Sequence, residues 1–569
     1  MIRVSYITIA VLLALAPNAF AQGKKVWASG AARSVFQQNT IASEGDTVTP
    51  QKLNGGHALV DIAFNAKPNS KTFVHGMVRV RNDFGGFWGS GITFDMRQLY
   101  LKGLVRDAIR YQLGDINYKL TPYTFYNNLE ELSTHQSEAL NIYRELVRYD
   151  LFYTDDNTWR QQGAAVDFGL LFPKLVKELE VNTFVFRNRP TDFGQQSDRI
   201  FFGGNGTLVQ NNNLVFGVNY IDLMDIKGTS RSNMALHNPV VTGTVNAKTK
   251  VKSINLEFKS ESGISELYVL NDPDAAELRD YFFDLDLSIS KDKKLPSLTV
   301  NYLNVGPQFR SIGAQSKRIN FDALNLLYPR YGNAQMVRPL TQLDMMQDAS
   351  LYQIDFSPEL QAFAPQYDNV QPYGKATPNR QGFAIELDYT SPNKLIDIEA
   401  SYQGLSEIVG QGVEDLRSFS TINVNGKFRI DTLIPTFKRA LELSYGLITR
   451  NTTRSTAIAE GNLDLTSTLA DIGIKIGVAT DFDLLANYRM INASGNELIG
   501  ARNTYTEIVD FDPFQTEMQQ SILMLALRYT FDDENHLNIV WQKLNYEDSA
   551  SENPSFDLSQ FGIVYSMKF

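Results

Sequence analysis

The chain contains no cysteine. Disulfides, thiol catalysis, thiolate metal sites and a lipidated N-terminal cysteine are therefore excluded. Histidine is scarce: His57, His75, His135, His237 and His536 are the only five in 569 residues. None lies in a nucleophile pattern such as G-x-S-x-G. A hydrolase needs a histidine paired with serine or aspartate, so an enzyme is not expected. Only His75 falls near the polar face of an expected strand, beside Arg79; His57 and His237 fall at loop bases and His536 at a short turn. After the N-terminal segment no apolar run approaches the ~20 residues of a spanning helix. Nucleotide- and nucleic-acid-binding motifs are missing, and a net charge of −10 argues against nucleic acid. No cofactor is implied.

What remains is an unusual mixture. Mean hydropathy is −0.23, yet 43% of residues are hydrophobic, with 35 Phe and 26 Tyr. Strands that are apolar on one side and polar on the other, joined by polar loops, have this composition. The N-terminus "MIRVSYITIAVLLALAPNAFAQGKK" has a positive Arg3, an apolar run from Tyr6 to Ala16, and Ala19-Phe20-Ala21 before Gln22. This is the pattern of a secretory signal peptide, 1–21, cleaved ahead of Gln22. The run is too short for a membrane anchor.

Beyond it the dominant signal is a period of two. "DIGIKIGV" sets Ile472, Ile474, Ile476 and Val478 against Asp471, Gly473, Lys475 and Gly477. "INVNGKFRI", "GFAIELDYT", "FDLDLSIS" and "LMLALRYTF" alternate in the same way. Strands are expected at 25–36, 57–66, 71–82, 91–102, 108–117, 164–172, 180–188, 200–209, 213–222, 250–259 and 264–270. Eleven more follow at 282–290, 297–305, 381–390, 396–404, 420–430, 439–449, 469–479, 482–491, 521–531, 536–546 and 559–569. The register is ambiguous around "MRQLYLKG" in 91–102, so the count of about 22 carries a range of 18–24. Connections alternate between short turns, such as "QNNN" at 210–213, and long loops at 117–163, 222–250, 305–380 and 492–520. The expected fold is all-β: a transmembrane antiparallel meander barrel over 22–569, with short periplasmic turns and long extracellular loops.

The chain ends "FGIVYSMKF", with Ile563, Tyr565, Met567 and Phe569 alternating up to a terminal aromatic. Together with the signal peptide and the meander, this resembles the outer-membrane β-barrel proteins of Gram-negative bacteria. The segments "GPQFRSIGAQSKR" and "QPYGKATPNRQG" resemble barrels of the Bacteroidota. The resemblance implies insertion among outer-membrane lipid and lipopolysaccharide. It implies that the barrel-assembly machinery reads the last strand, and it allows for partner lipoproteins. Plug-bearing receptors of similar strand number place a large domain before the barrel. Here strand patterning starts almost at once after Gln22, so no plug domain is expected.

Two functions stay open: a porin-like channel for small solutes, and a non-conducting scaffold of an assembly, secretion or uptake complex. For a channel, the charges on the polar faces are the candidates. By parity Arg79, Arg81, Arg110, Lys427, Arg429, Lys475, Arg489 and Arg528 face the lumen, as do Asp167, Asp284, Asp286, Glu386 and Asp388. Rings of charge set selectivity in pores, whereas charges that merely solvate or cross-pair do nothing of the kind. The loop 305–380 carries Tyr328, Tyr331, Tyr352, Phe363, Tyr367 and Tyr373, too many aromatics for a disordered segment. It is expected to fold over or into the barrel mouth, or else to bind a partner lipoprotein at the surface. "SEALNIYRELVRYD" reads as a helix capped by Ser137. Asp272, Asp274 and Glu277 offer oxygen ligands for Ca²⁺ but lack the spacing of a calcium loop, so a solvated acidic loop is favoured.

Overall fold

The computed structural model describes residues 25–43, 51–84, 92–127, 137–146, 159–172, 174, 176–232, 234–272, 277–291, 295–315, 329–332, 335–339, 356, 358–360, 363–433, 439–502, 508–550 and 555–569. The segment 1–24, with Ala19, Ala21 and Gln22, lies outside these, as do Asp274, Tyr328 and Tyr352.

The strands are β1 (Val26–Ser43), β2 (Gln51–Asn69), β3 (Thr72–Asp83), β4 (Ile92–Val105), β5 (Ile109–Tyr118), β6 (Trp159–Leu171), β7 (Glu178–Arg189) and β8 (Arg199–Asn211). They continue as β9 (Leu214–Asp225), β10 (Ala235–Val251), β11 (Ile254–Leu270), β12 (Leu278–Ser290) and β13 (Ser297–Val305), then a small hairpin of β14 (Pro329–Gly332) and β15 (Gln335–Pro339). The rest are β16 (Arg380–Thr390), β17 (Ile396–Ser406), β18 (Ser418–Arg429), β19 (Leu441–Arg454), β20 (Leu463–Gly477), β21 (Phe482–Arg502), β22 (Ile508–Asp532), β23 (Asn535–Asp548) and β24 (Phe556–Lys568). An α-helix, α1 (Glu138–Leu146), lies between β5 and β6.

Each barrel strand pairs antiparallel with the next, β13 pairs with β16, and β24 pairs with β1. The result is a closed 22-strand meander. Closure leaves no free strand, so the backbone groups of the wall pair from strand to strand all the way round, which hydrocarbon demands. The outward face is apolar: Phe64, Leu113, Val218, Ile385, Ile472 and Leu525 are exposed. Their inward neighbours, such as Ala63, Asn219 and Met524, are buried.

The count matches the expectation, but one part of it does so by compensation. The expected strands 250–259 and 264–270 are the two halves of β11, and β10 occupies much of the expected loop 222–250. The described parts of the expected loop 492–520, up to Arg502 and from Ile508, are likewise strand: β21 and β22 run 21 and 25 residues and extend the wall at the long-loop end. About 9–11 residues suffice to cross the hydrocarbon. The remainder of these strands stands in water, where alternation need not be apolar on either side.

β24 closes the barrel as its alternation implies. Gly562, Val564 and Ser566 are turned inward, and Phe561, Ile563, Tyr565 and Met567 outward. At the seam, Gly30 N–H donates to the Phe569 carbonyl (2.8 Å) and Phe569 N–H to the Gly30 carbonyl (3.0 Å). A Cβ on Gly30 would stand 2.6 Å from Cζ of the Phe569 ring and press on the Asp61 carbonyl. Gly30→Val and deletion of Phe569 should therefore both lower the fraction of folded barrel in membrane fractions. The folded, fast-migrating band on unheated gels measures it, and wild-type levels in both variants would contradict the seam.

Candidate functional site

All thirteen charged candidates sit on the inward face, in register with buried neighbours such as Met77, Ala165, Ala384, Asn425 and Met524. Most have opposite charges beside them. Asp61 stands directly across from Arg79, accepting from Nε (2.7 Å) and Nη2 (2.6 Å), with both side chains buried. Asp471 stands across from Arg489 and accepts from its Nε at 3.0 Å. Arg110 stands across from Asp167. Lys427 pairs with Glu442 (3.3 Å) and Arg429 with Asp431 (3.1 Å). Arg81 follows Arg79 on the same face of β3. Glu386 and Asp388 line the lower part of β16, where Asp388 faces Glu399 of β17.

His57, buried on β2, joins His75 on the inner face. His237 takes the outward parity of β10, beside inward Asn238, and its ring stacks on Tyr268 of β11. His75 stacks on Tyr100 and its Nδ1 shares a hydrogen bond with Asn65 Oδ1 (2.8 Å). Asp272 and Glu277 flank the β11–β12 connection. Among the described residues no three acidic or histidine side chains gather as a metal site.

The upper lumen, toward the long-loop end, is not polar as the strand pattern implied. Phe184, Phe186 and Phe201 point inward and pack with Phe125 and Phe356 at ring-centroid distances of 4.9–6.0 Å. The physical reason is that inward-folded loops need a core of their own. Residues 119–127 and 306–315 supply it. Tyr126 N–H donates to the Gly313 carbonyl (3.0 Å) and Ile312 N–H to Asn238 Oδ1 (2.9 Å). Tyr123 stacks on Phe282 at 3.9 Å and its hydroxyl donates to Asp284 (2.9 Å). Burial and that carboxylate push the Tyr123 phenol well up.

The stretch 363–379 then crosses the lumen. On one side Val370 and Ala376 join the phenylalanine cluster. On the other, Tyr367 joins a second apolar cluster with Ile491, Ile522 and Leu544 of β21–β23 and donates to Gln520 Oε1 (3.2 Å). Lys375 fixes the middle, 3.3 Å from Asp284 and 4.0 Å from Asp286. Burial alone would lower its ammonium, but these carboxylates outweigh it and raise it. Asp284 and Asp286 thus hold the loop.

α1 lies much deeper, against β20–β22. Ser137 caps it, its Oγ accepting from Leu140 N–H at 3.4 Å. Glu138 receives Lys475 Nζ (2.9 Å) and Arg528 Nη1 (2.8 Å), two wall cations close to the short-turn end. The loop from the opposite end therefore reaches nearly through the barrel. Burial alone would raise the Glu138 carboxyl, but Lys475 and then Arg528 hold it below its ordinary 4.5. A depressed carboxyl contributes stability fully above that ordinary value and loses it as pH falls through the depressed one. A nitroxide on Asn141→Cys should be immobile at pH 7 and mobile near pH 3. Glu138→Gln should show the mobile spectrum at both, and an immobile spectrum in that variant would exclude the pin.

The sequence did not single out Lys375 or Glu138. One signal was present: "TFVFRN" and "RIFFGG" are apolar on both faces toward the long-loop end. That is the mark of a strand with lipid on one side and a packed core on the other.

No family model matches the chain, and no curated protein matches it. Among solved structures it is similar to Pseudomonas aeruginosa OccK8 (OprE), at 10% identity over 96% of this chain and 99% of that one, with a TM-score of 0.35. It is also similar to the outer membrane protein opdK of Pseudomonas aeruginosa, at 9% identity over 95% and 99%, with a TM-score of 0.34. The translocation pore of the P pilus usher PapC gives 8%, 95%, 99% and 0.35. At these values the likeness carries nothing about function.

Proposed function

We propose that the chain is an outer-membrane barrel acting as a porin-like channel for small solutes, constricted by its own loops. The observation behind this is a closed, outwardly apolar barrel whose lumen is charged below and filled by folded loops above. Export by the N-terminal signal and reading of Ile563, Tyr565, Met567 and Phe569 by the assembly machinery would bring it there. The pairing of Arg79, Arg489, Lys427, Arg429, Lys475 and Arg528 with carboxylates makes weak charge selectivity the expectation, with passage limited by size. Planar-bilayer recordings in a KCl gradient test both parts: small steps and a reversal potential near zero are expected. A second reading, the non-conducting scaffold with partner lipoproteins, is favoured by the apolar packing that spans the upper lumen. It predicts no steps, and stoichiometric partners after mild detergent extraction.

A further inference from the structure

Among the described residues the β4–β5 ladder is the shortest in the wall. It has six pairs, Tyr100–Val105 against Ile109–Gly114. On its other side β4 makes eleven pairs with β3, up to Ile92, and β5 makes ten with β6, up to Tyr118. A strand needs ~9–11 residues to cross the hydrocarbon. Among the described residues, then, Ile92–Gln98 is paired with β3 alone and Asp115–Tyr118 with β6 alone. The wall carries a slit between them.

Two residues end the ladder. Gly114 has φ +96°, and a Cβ there would stand 2.2 Å from the Leu99 carbonyl oxygen. Only glycine turns the chain at that point without strain. Asp115 follows, and its carboxylate takes the place of a ladder carbonyl, accepting from Leu99 N–H at 2.5 Å. Its own carbonyl accepts from Gln112 Nε2 (2.5 Å). Side chains cap the ladder here, so the slit is built and not frayed.

Ile92–Met96 is exposed at every residue, with Phe94 at 69% and Met96 at 58%. The outward residues Ile92, Phe94 and Met96 continue the apolar outer face of Val78 and Val80 on β3. The bare edge therefore stands at the level of lipid. On the opposite bank the outward residues turn polar: Asn117 and Gln162 are exposed, while inward Ile116 is buried in the phenylalanine cluster. Acyl chains satisfy neither bank, because they offer nothing to a backbone N–H, a carbonyl or an amide side chain. In hydrocarbon an open edge is satisfied by another strand.

We propose that Ile92–Gln98 takes up an extended segment of a partner polypeptide as an added strand, antiparallel to β4. Its side chains alternate, apolar beside Phe94 and Met96 and polar on the lumen side beside Thr93 and Asp95. Main-chain bonds supply the affinity, so the edge selects extended conformation and alternation ahead of particular side chains. The inference does not depend on whether the lumen conducts.

The test uses the full-length protein in detergent micelles, with a synthetic peptide of alternating threonine and valine, about seven residues long, as probe. Residue-resolved hydrogen exchange reads β4 directly. Alone, the edge amides of 92–98 should exchange at least about tenfold faster than those of 100–104, which are paired on both sides. The peptide should slow 92–98 by about tenfold or more and leave 100–104 unchanged. A peptide with proline at alternate positions lacks the donors and should not protect. Phe94→Lys, an edge-blocking charge, should cut the protection by the first peptide about tenfold in a barrel that still runs as the folded band. In outer membranes a photo-cross-linker at Phe94 should join an extended segment of another polypeptide, located by mass spectrometry. One at Ile385, on the opposite wall, should not.

Full protection of 92–98 in the purified protein would mean that the chain covers its own edge. Equal protection by the proline peptide would reduce the effect to apolar adsorption. Undiminished protection in Phe94→Lys would place the peptide off this edge, and cross-links only to lipid or to residues 147–158 of the same chain would leave no partner strand. Each result overturns the proposal.

Discussion

Replacing residues 306–379 with a short glycine–serine turn should raise single-channel conductance several-fold. The wall tolerates the change because Val305 and Arg380, the residues flanking the deletion, are already partners across the β13–β16 ladder. A tight turn can join them without altering any strand register. The 22-strand hydrogen-bond network, which holds a barrel in lipid, is untouched. What disappears is the crossing segment: Tyr367 leaves the β21–β23 cluster, Lys375 leaves Asp284 and Asp286, and Val370 leaves the phenylalanine cluster. Inward Phe186 and Phe201 then face water, a cost borne locally. α1 still narrows the lower lumen in this variant, so adding Glu138→Gln should raise conductance again. If the deletion leaves the steps unchanged while the folded band persists, 306–379 is not the constriction. If the intact protein shows no steps and the deletion does, the open-porin reading fails and the loop is a seal.

How much of this could be read without the structure depended on which solvent each residue meets. In the hydrocarbon zone, alternation such as Ile472–Ile474–Ile476 against Asp471–Lys475 leaves one reading, and those strands lie where the pattern puts them. Above that zone the pattern fades for a physical reason. The β21–β22 hairpin passes through "GNELIGAR" and "FDPFQTEMQQ", whose outward residues meet water, so it resembled a loop. β10 was lost for a different reason: "VTGTVNAKTK" runs down to a short turn, but its outward residues beside Val218, Phe216 and Leu214 are Gly243, Val245 and Ala247, too small to mark an apolar face. The ambiguity in "MRQLYLKG" has a local cause. Val78 pairs with Met96 and Met77 with Gln98, so Arg97 is bulged out of the ladder. Phe94 and Met96 point outward before the bulge and Leu99 after it, and no single parity fits. The polar faces announced which charges enter the lumen. They did not announce that Asp61 meets Arg79 or that Asp471 meets Arg489, because register is a property of two strands and not of one.

That register makes Arg79→Leu the point substitution with the largest expected loss of stability. Asp61 is 0% exposed and its partner 2%. The guanidinium meets both Asp61 oxygens in a two-pronged contact, and Asp95 stands opposite on the other neighbouring strand. Removing the arginine alone strands a buried carboxylate, at a cost of about 3–5 kcal/mol. Asp61→Leu alone keeps the guanidinium beside the more exposed Asp95 of β4 and should cost somewhat less. The double variant removes the buried charge altogether, and replacing a buried pair by apolar residues of similar volume is often close to neutral. Urea unfolding of the barrel in lipid vesicles reads all three. A double variant as unstable as Arg79→Leu would mean that the loss comes from packing volume and not from the uncompensated charge. A single variant within about 1 kcal/mol of wild type, the range of exposed pairs, would mean that water reaches the pair and that it belongs to the solvated lumen.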